Sequence, residues 1–124
     1  GDSRRCGVKV RASADGGEQT LLYYDAEAKQ LVFDASRSGS AGRTVVERAP
    51  FEVPQGEPLR LRVFVDASVV EVYANDRQAI GRRVYPRSDS LGVAVFAAGD
   101  PREVGSGCLK SFITASGSNC GFFP

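Results

Sequence analysis

Leu59-Arg60-Leu61-Arg62-Val63-Phe64-Val65-Asp66, followed two residues later by Val69-Val70-Glu71-Val72-Tyr73-Ala74, decides how this chain folds. Both runs alternate with period two, the spacing of side chains along a β-strand. Joined by a two-residue turn at Ala67-Ser68, they set Val65 opposite Val70, Val63 opposite Val72 and Leu61 opposite Ala74. That face is wholly apolar and belongs in a core. A slip of one residue would turn charges into it, so the register is tightly specified.

The opposite face is mixed. It carries Arg60, Arg62, Phe64 and Asp66 on one strand, and Val69, Glu71 and Tyr73 on the other. In this register Glu71 stands opposite Phe64 and diagonal to Arg62 and Asp66. One reading is a solvated face held by cross-strand ion pairs, which contribute roughly 0.2–1 kcal/mol each. The other is a surface that meets a sugar or a partner domain, because Phe64, Val69 and Tyr73 are too apolar to face water without a reason. A turn at Asn75-Asp76-Arg77 leads into a strand over Gln78 to Tyr85 that holds Arg82-Arg83. Adjacent arginines point to opposite faces, so at most one joins Glu71. A guanidinium offers several donors in a planar fork, suited to vicinal sugar hydroxyls.

Working outward, the rest of the chain shows short β-branched and aromatic runs between turn residues, with no sustained helical period. Gly7 to Ala14 alternates and ends at Asp15-Gly16-Gly17, a hairpin turn. Leu21 to Tyr24 and Gln30 to Asp34 form a second pair. Ala35 to Thr44 reads as an exposed loop. Val45 to Val53 is a Pro-interrupted edge strand, and Pro54 to Pro58 is a turn. Leu91 to Ala98 is a strand of small residues that suggests close packing against another layer. Leu109 to Thr114 is the last strand, in a Gly- and Ser-rich tail. The expected fold is all-β, a sandwich of two antiparallel sheets (jelly-roll or concanavalin-like), with residues 1–124 as one domain.

Composition narrows the function. The 124 residues carry 16 basic and 15 acidic side chains, so no global field favours nucleic acid or an anionic membrane. No apolar run spans a bilayer. With no His there is no Ser-His-Asp or Cys-His arrangement and no His-ligated metal. No cofactor is implied. With no Trp, a sugar contact would rest on Tyr, Phe, Arg or carboxylates. The three cysteines, Cys6, Cys108 and Cys120, do not complete a disulfide framework. Idle buried thiols are the simplest reading. The alternative is a Cys108–Cys120 loop that leaves Cys6 free. The first residue is Gly1 and not Met, which points to a piece of a longer protein.

The hairpin from Leu61 to Asp76 resembles the signature hairpin in the C-terminal domain of glycoside hydrolase family 32, the β-fructofuranosidase, levanase and invertase type. Arg83-Val84-Tyr85-Pro86, Gly92 to Ala97, Thr20 to Asp34 and Ser36-Arg37-Ser38-Gly39 also look like family segments. The resemblance covers about residues 7–99 and leaves an atypical tail over 100–124. It implies a sandwich packed against an N-terminal five-bladed propeller that holds the catalytic carboxylates. The propeller motifs, Trp-x-Asn-Asp-Pro, Arg-Asp-Pro and Glu-Cys, are absent from this sequence. Asp100-Pro101 follows Gly99 and reads as a turn.

Three functions follow as expectations. The first is a non-catalytic accessory domain that stabilises the propeller, with possible self-association of the separate domain. The second is a fructan-binding module, because levan-binding carbohydrate-binding modules are similar to this sandwich. Its sugar- or partner-binding residues would be Arg37, Arg62, Asp66, Glu71, Tyr73 and Arg83, with the rings of Tyr73 or Tyr85 over a furanose. The third is a stand-alone glycosidase. Asp66 and Glu71 could approach the roughly 6.5–9.5 Å separation of inverting enzymes. A flat sheet face, however, offers no pocket to raise an acid's pKa. Extracellular or periplasmic placement is preferred to cytoplasmic.

Overall fold

A computed structural model describes residues 5–39, 45–54, 56–66, 68–86, 90, 92–98 and 109–116. Nine strands are described: β1 (Arg5–Ala12), β2 (Gln19–Asp25), β3 (Gln30–Arg37), β4 (Val46–Pro50), β5 (Leu59–Asp66), β6 (Val69–Ala74), β7 (Gln78–Arg83), β8 (Gly92–Ala98) and β9 (Leu109–Ser116). They form two sheets, ordered β4-β3-β2-β1-β8 and β7-β6-β5-β9. All pairings are antiparallel except that of β9, which joins β5 in parallel. The all-β sandwich expected from the sequence is therefore the fold, with one parallel strand added at an edge. Residues 40–44, Ala67, Asp100-Pro101, Cys108, Cys120 and the end of the tail lie outside the described residues.

The deciding hairpin has the register read from its alternation. Leu61 pairs with Ala74, Val63 with Val72, and Val65 with Val70, and Glu71 stands opposite Phe64. Leu59, Leu61, Val63, Val70, Val72 and Ala74 are all buried. They meet Cys6, Val8, Val10, Leu22, Tyr24, Leu31 and Phe33 from the inward face of the other sheet. The two inner faces share one core. β7 lies across from β4 and β3. There Arg82 on β7 donates to Glu47 on β4 at 2.8 Å, tying the two sheets at that side.

Three local expectations change. The loop expected from Ala35 begins later, because β3 continues to Arg37. Its pairing with β2 slips between Gln19 and Leu21, a bulge that carries the strand past its hydrophobic run. β8 does not bury its start. It is an edge strand, and Gly92, Val93 and Ala94 are exposed, with Val93 at 50%. Cys6 is neither idle nor free: it is buried and disulfide-bonded. Its thiol character gave no sign of this, because pairing depends on where the distant chain returns.

At one end of the sandwich the turns are locked by a polar clasp. Asn75 and Asp76 both have positive φ, 49° and 55°. Asn and Asp tolerate this region better than other side chains. The Asn75 side-chain oxygen accepts from the Arg60 amide at 2.6 Å, and its amide donates to the Pro58 carbonyl at 2.9 Å. Arg77 meets Glu57 with two parallel bonds of 2.8 and 2.7 Å. It also donates to the Glu52 carbonyl at 3.0 Å and lies over the Phe51 ring. The arrangement ties the β6–β7 turn to the segment that enters β5.

That clasp has a pH signature. The Arg77 guanidinium holds the Glu57 carboxyl below its ordinary value, and Asn75 adds to this. A carboxylate with a depressed folded pKa stabilises above its unfolded pKa, and the gain is lost as pH falls through the folded value. Glu57→Gln is therefore expected to lower the thermal midpoint slightly at neutral pH and to match the native chain below the ordinary glutamate range. A midpoint gap that persists unchanged into acid would contradict the pairing. Glu57 is solvent-accessible, so the effect is small.

Candidate functional site

The outer face of the four-stranded sheet is built in three rows by the registers of β5, β6 and β7. One row runs Arg62, Tyr73, Ala79. The next runs Phe64, Glu71, Gly81. The third runs Asp66, Val69, Arg83. Strand alternation puts these side chains outward because their neighbours Val63, Val70, Val72 and Ile80 are needed in the core. Phe64 is 39% exposed, and Val69, Glu71 and Tyr73 are half-buried.

Within the face, the aromatic pair and the carboxylate form one unit. Phe64 and Tyr73 meet edge to face at 5.6 Å between ring centres. The Tyr73 hydroxyl donates to Glu71 Oε2 at 2.7 Å. Glu71, first as acceptor and then as a negative charge, pushes the Tyr73 hydroxyl above its ordinary pKa, while Arg62 opposes the shift. Tyr73 is therefore a fixed donor. The Glu71 side chain lies across Gly81: a Cβ there would stand 3.1 Å from Glu71 Cγ. Glycine on β7 leaves the carboxylate room.

The ion pair expected diagonally between Arg62 and Glu71 does not form. Arg62 reaches the other way, to Asp76 at 2.9 Å, with its guanidinium 5.7 Å from the Tyr73 ring centre. Tyr73 stands directly opposite Arg62. Its face and the turn carboxylate together hold the guanidinium away from Glu71. Asp76 is the residue that sequence reading missed. Its positive φ aims a turn side chain at a strand two elements away, and no spacing rule signals that.

The remaining candidates divide. Asp66 and Arg83 share the row at the β5–β6 turn, where Arg83 donates to Ser68 Oγ at 3.4 Å. Arg37 belongs to the other sheet and donates to the Gly16 carbonyl, so it does not join the patch. Tyr85 is 47% exposed just beyond β7, where the buried Val84 donates its amide to the Ser68 carbonyl. The Ser38-Gly39 segment packs against it. Gly39 has φ of 137°, and a Cβ there would fall on the Tyr85 carbonyl. Two distant pieces of sequence, Ser36 to Gly39 and Arg83 to Pro86, thus share one corner.

The model of the C-terminal region of glycosyl hydrolases family 32 matches residues 1–111. The chain belongs to this family. Among family members, the sucrose-6-phosphate hydrolase of Zymomonas mobilis is 31% identical over 98 residues, which is 75% of this chain and 18% of that protein. The levanase of Bacillus subtilis is 36% identical over 104 residues, 79% of this chain and 15% of that protein. A crystal structure of exo-inulinase from Aspergillus awamori superimposes with a TM-score of 0.67 at 24% identity, covering 81% of this chain and 24% of that one. The family 32 segment described here thus spans less than one-fifth of the curated relatives' length.

Proposed function

We propose that this chain is the non-catalytic accessory sandwich of a β-fructosidase-type family 32 hydrolase and that it stabilises a catalytic propeller. One observation carries this reading: the match is to the C-terminal model of the family, over 111 residues, while most of each relative lies outside it. The geometry agrees. Asp66 and Glu71 stand in neighbouring rows of an outward sheet face, and Glu71 is engaged by Tyr73. The disulfide at Cys6 favours an oxidising compartment. The names of some relatives, such as the extracellular exo-inulinase of Aspergillus niger, are in keeping with that.

The test has two arms. The isolated chain is expected to release no reducing sugar from sucrose, levan or inulin. A family 32 catalytic portion joined to this chain is expected to melt higher than the same portion without it. About 2 kcal/mol of coupling would move the midpoint by roughly 4–8 °C. Equal midpoints would overturn the stabilising role.

A second reading, fructan binding, is favoured by one observation. Asp66 makes no ion pair among the described residues and shares a row with Arg83, with Val69 between them, so the row carries a carboxylate and a guanidinium on either side of an apolar side chain. Titration of the isolated chain with levan or inulin tests it. No binding at millimolar fructan would remove it.

A further inference from the structure

We propose that the family 32 catalytic portion docks on the outer face of the four-stranded sheet, over Phe64, Glu71 and Tyr73, and presents a cationic or hydrogen-bond-donating group to Glu71. The inference rests on the accessory role proposed above and adds the surface and the chemistry of the partner.

The two broad faces of the sandwich differ in what they leave uncovered. On the outer side of the five-stranded sheet, Tyr23 and Val32 are already buried, at 6% and 1% exposure. Tyr23 is flanked by Phe96 at 5.9 Å and by the Arg5 guanidinium at 5.5 Å. Around them Leu21 and Phe96 are half-buried and Val93 on the edge strand is 50% exposed, so the contrast lies in the aromatic rings, of which none among the described residues on that side is as open as Phe64. The four-stranded sheet keeps Phe64 exposed and Val69 and Tyr73 half-buried. Aromatic side chains mixed with arginine are the composition enriched at protein interfaces.

Glu71 has acceptor capacity to spare. A carboxylate accepts at about four lone-pair positions. Among the described residues Glu71 receives one hydrogen bond, from Tyr73, and makes no ion pair. Arg62, its expected neighbour, is held by Asp76 and Tyr73. Gly81 leaves the carboxylate open on the β7 side. An acceptor fixed in place but mostly unsatisfied is arranged for an incoming donor.

The charges on the face balance, with Arg60, Arg62 and Arg83 against Asp66, Glu71 and Asp76. Such a face does not steer a diffusing partner over long range. It suits one that is already close. In the relatives this region is 15–18% of a single chain, so the rest of the enzyme is tethered to it. Tethering raises effective concentration, and a modest mixed interface then suffices.

The experiment uses a polypeptide that joins this chain to a family 32 catalytic portion. Glu71→Arg and Phe64→Asp are made on the proposed face, with Arg48→Glu on the other sheet as the control. The readouts are amide hydrogen exchange in residues 60–83 and the rate of protease cleavage at the junction. Joining is expected to slow exchange in β5–β7 relative to the isolated chain. Either face variant is expected to abolish that protection and speed cleavage at least tenfold, while Arg48→Glu changes neither. Each variant chain in isolation must keep the native thermal midpoint, which separates undocking from unfolding; if Phe64→Asp fails this check, Glu71→Arg carries the test.

Protection of the five-stranded sheet instead would overturn this surface and leave the accessory role standing. Absence of protection together with absence of stabilisation would overturn both. Fructan binding by the isolated chain that Glu71→Gln abolishes, or a dimer of the isolated chain that Phe64→Asp dissociates, would assign the face to another occupant and overturn the proposal.

Discussion

Val72→Asp is expected to remove much of the chain's folding stability. Val72 is fully buried on β6, between Val63 on β5 and Ile80 on β7. Both cross-strand neighbours are aliphatic, so an aspartate there has no cation or donor beside it. A buried, unpaired charge costs about 3–5 kcal/mol or more. Domain stabilities are about 5–15 kcal/mol, so one such change consumes much of the margin. The contrast is Arg60→Ala, on the solvent side of β5, where a change of about 0.5 kcal/mol or less is expected. Circular dichroism and urea titration of the two variants would check the pair. A Val72→Asp protein of near-native stability would mean that the hairpin does not hold the centre of the core.

The second large effect concerns Cys6. Reduction is expected to lower stability by about 2–5 kcal/mol. For a domain of this size that corresponds to roughly 10–20 °C in the thermal midpoint. A bridge restricts the unfolded chain in the entropic account. Cys6→Ser is expected to show the same loss, and reductant is expected to add nothing further to it. A reductant-insensitive midpoint in the native protein would contradict a structural role for the bridge.

What could be read from the sequence was whatever local periodicity determines. Alternation in residues 59–74 set which side chains face inward, and burial of Leu61, Val63, Val70 and Val72 follows it. Turn chemistry at Asp15-Gly16-Gly17 and Asn75-Asp76-Arg77 was equally local. The contacts that were not legible join distant segments. Glu57 and Arg77 are 20 residues apart, and Arg82 and Glu47 are 35 apart. Charged residues are common enough that spacing alone names no pair. On the candidate face, the side chains were legible but their partners were not. Arg62 had one acidic neighbour in register, the diagonal Glu71, and meets Asp76 in a turn instead. Arg37 was singled out by residue type, and its bond to a backbone carbonyl of the β1–β2 turn had no signal in the sequence.

The parallel strand β9 has a consequence in time. β5 is interior to its sheet only because β9 lies along its far side. A ribosome delivers Leu59 to Asp66 about 50 residues before Leu109 to Ser116. Until then one hydrogen-bonding edge of β5 has no strand to take it, and unpaired strand edges recruit other chains. Parallel pairing across so many residues is also slow to form. The nascent chain therefore passes through an interval in which both strands of its hairpin have been made but its sheet is unfinished. Chaperone demand and aggregation during expression are expected to depend on the length of that interval, and shortening the segment between β8 and β9 would shorten it.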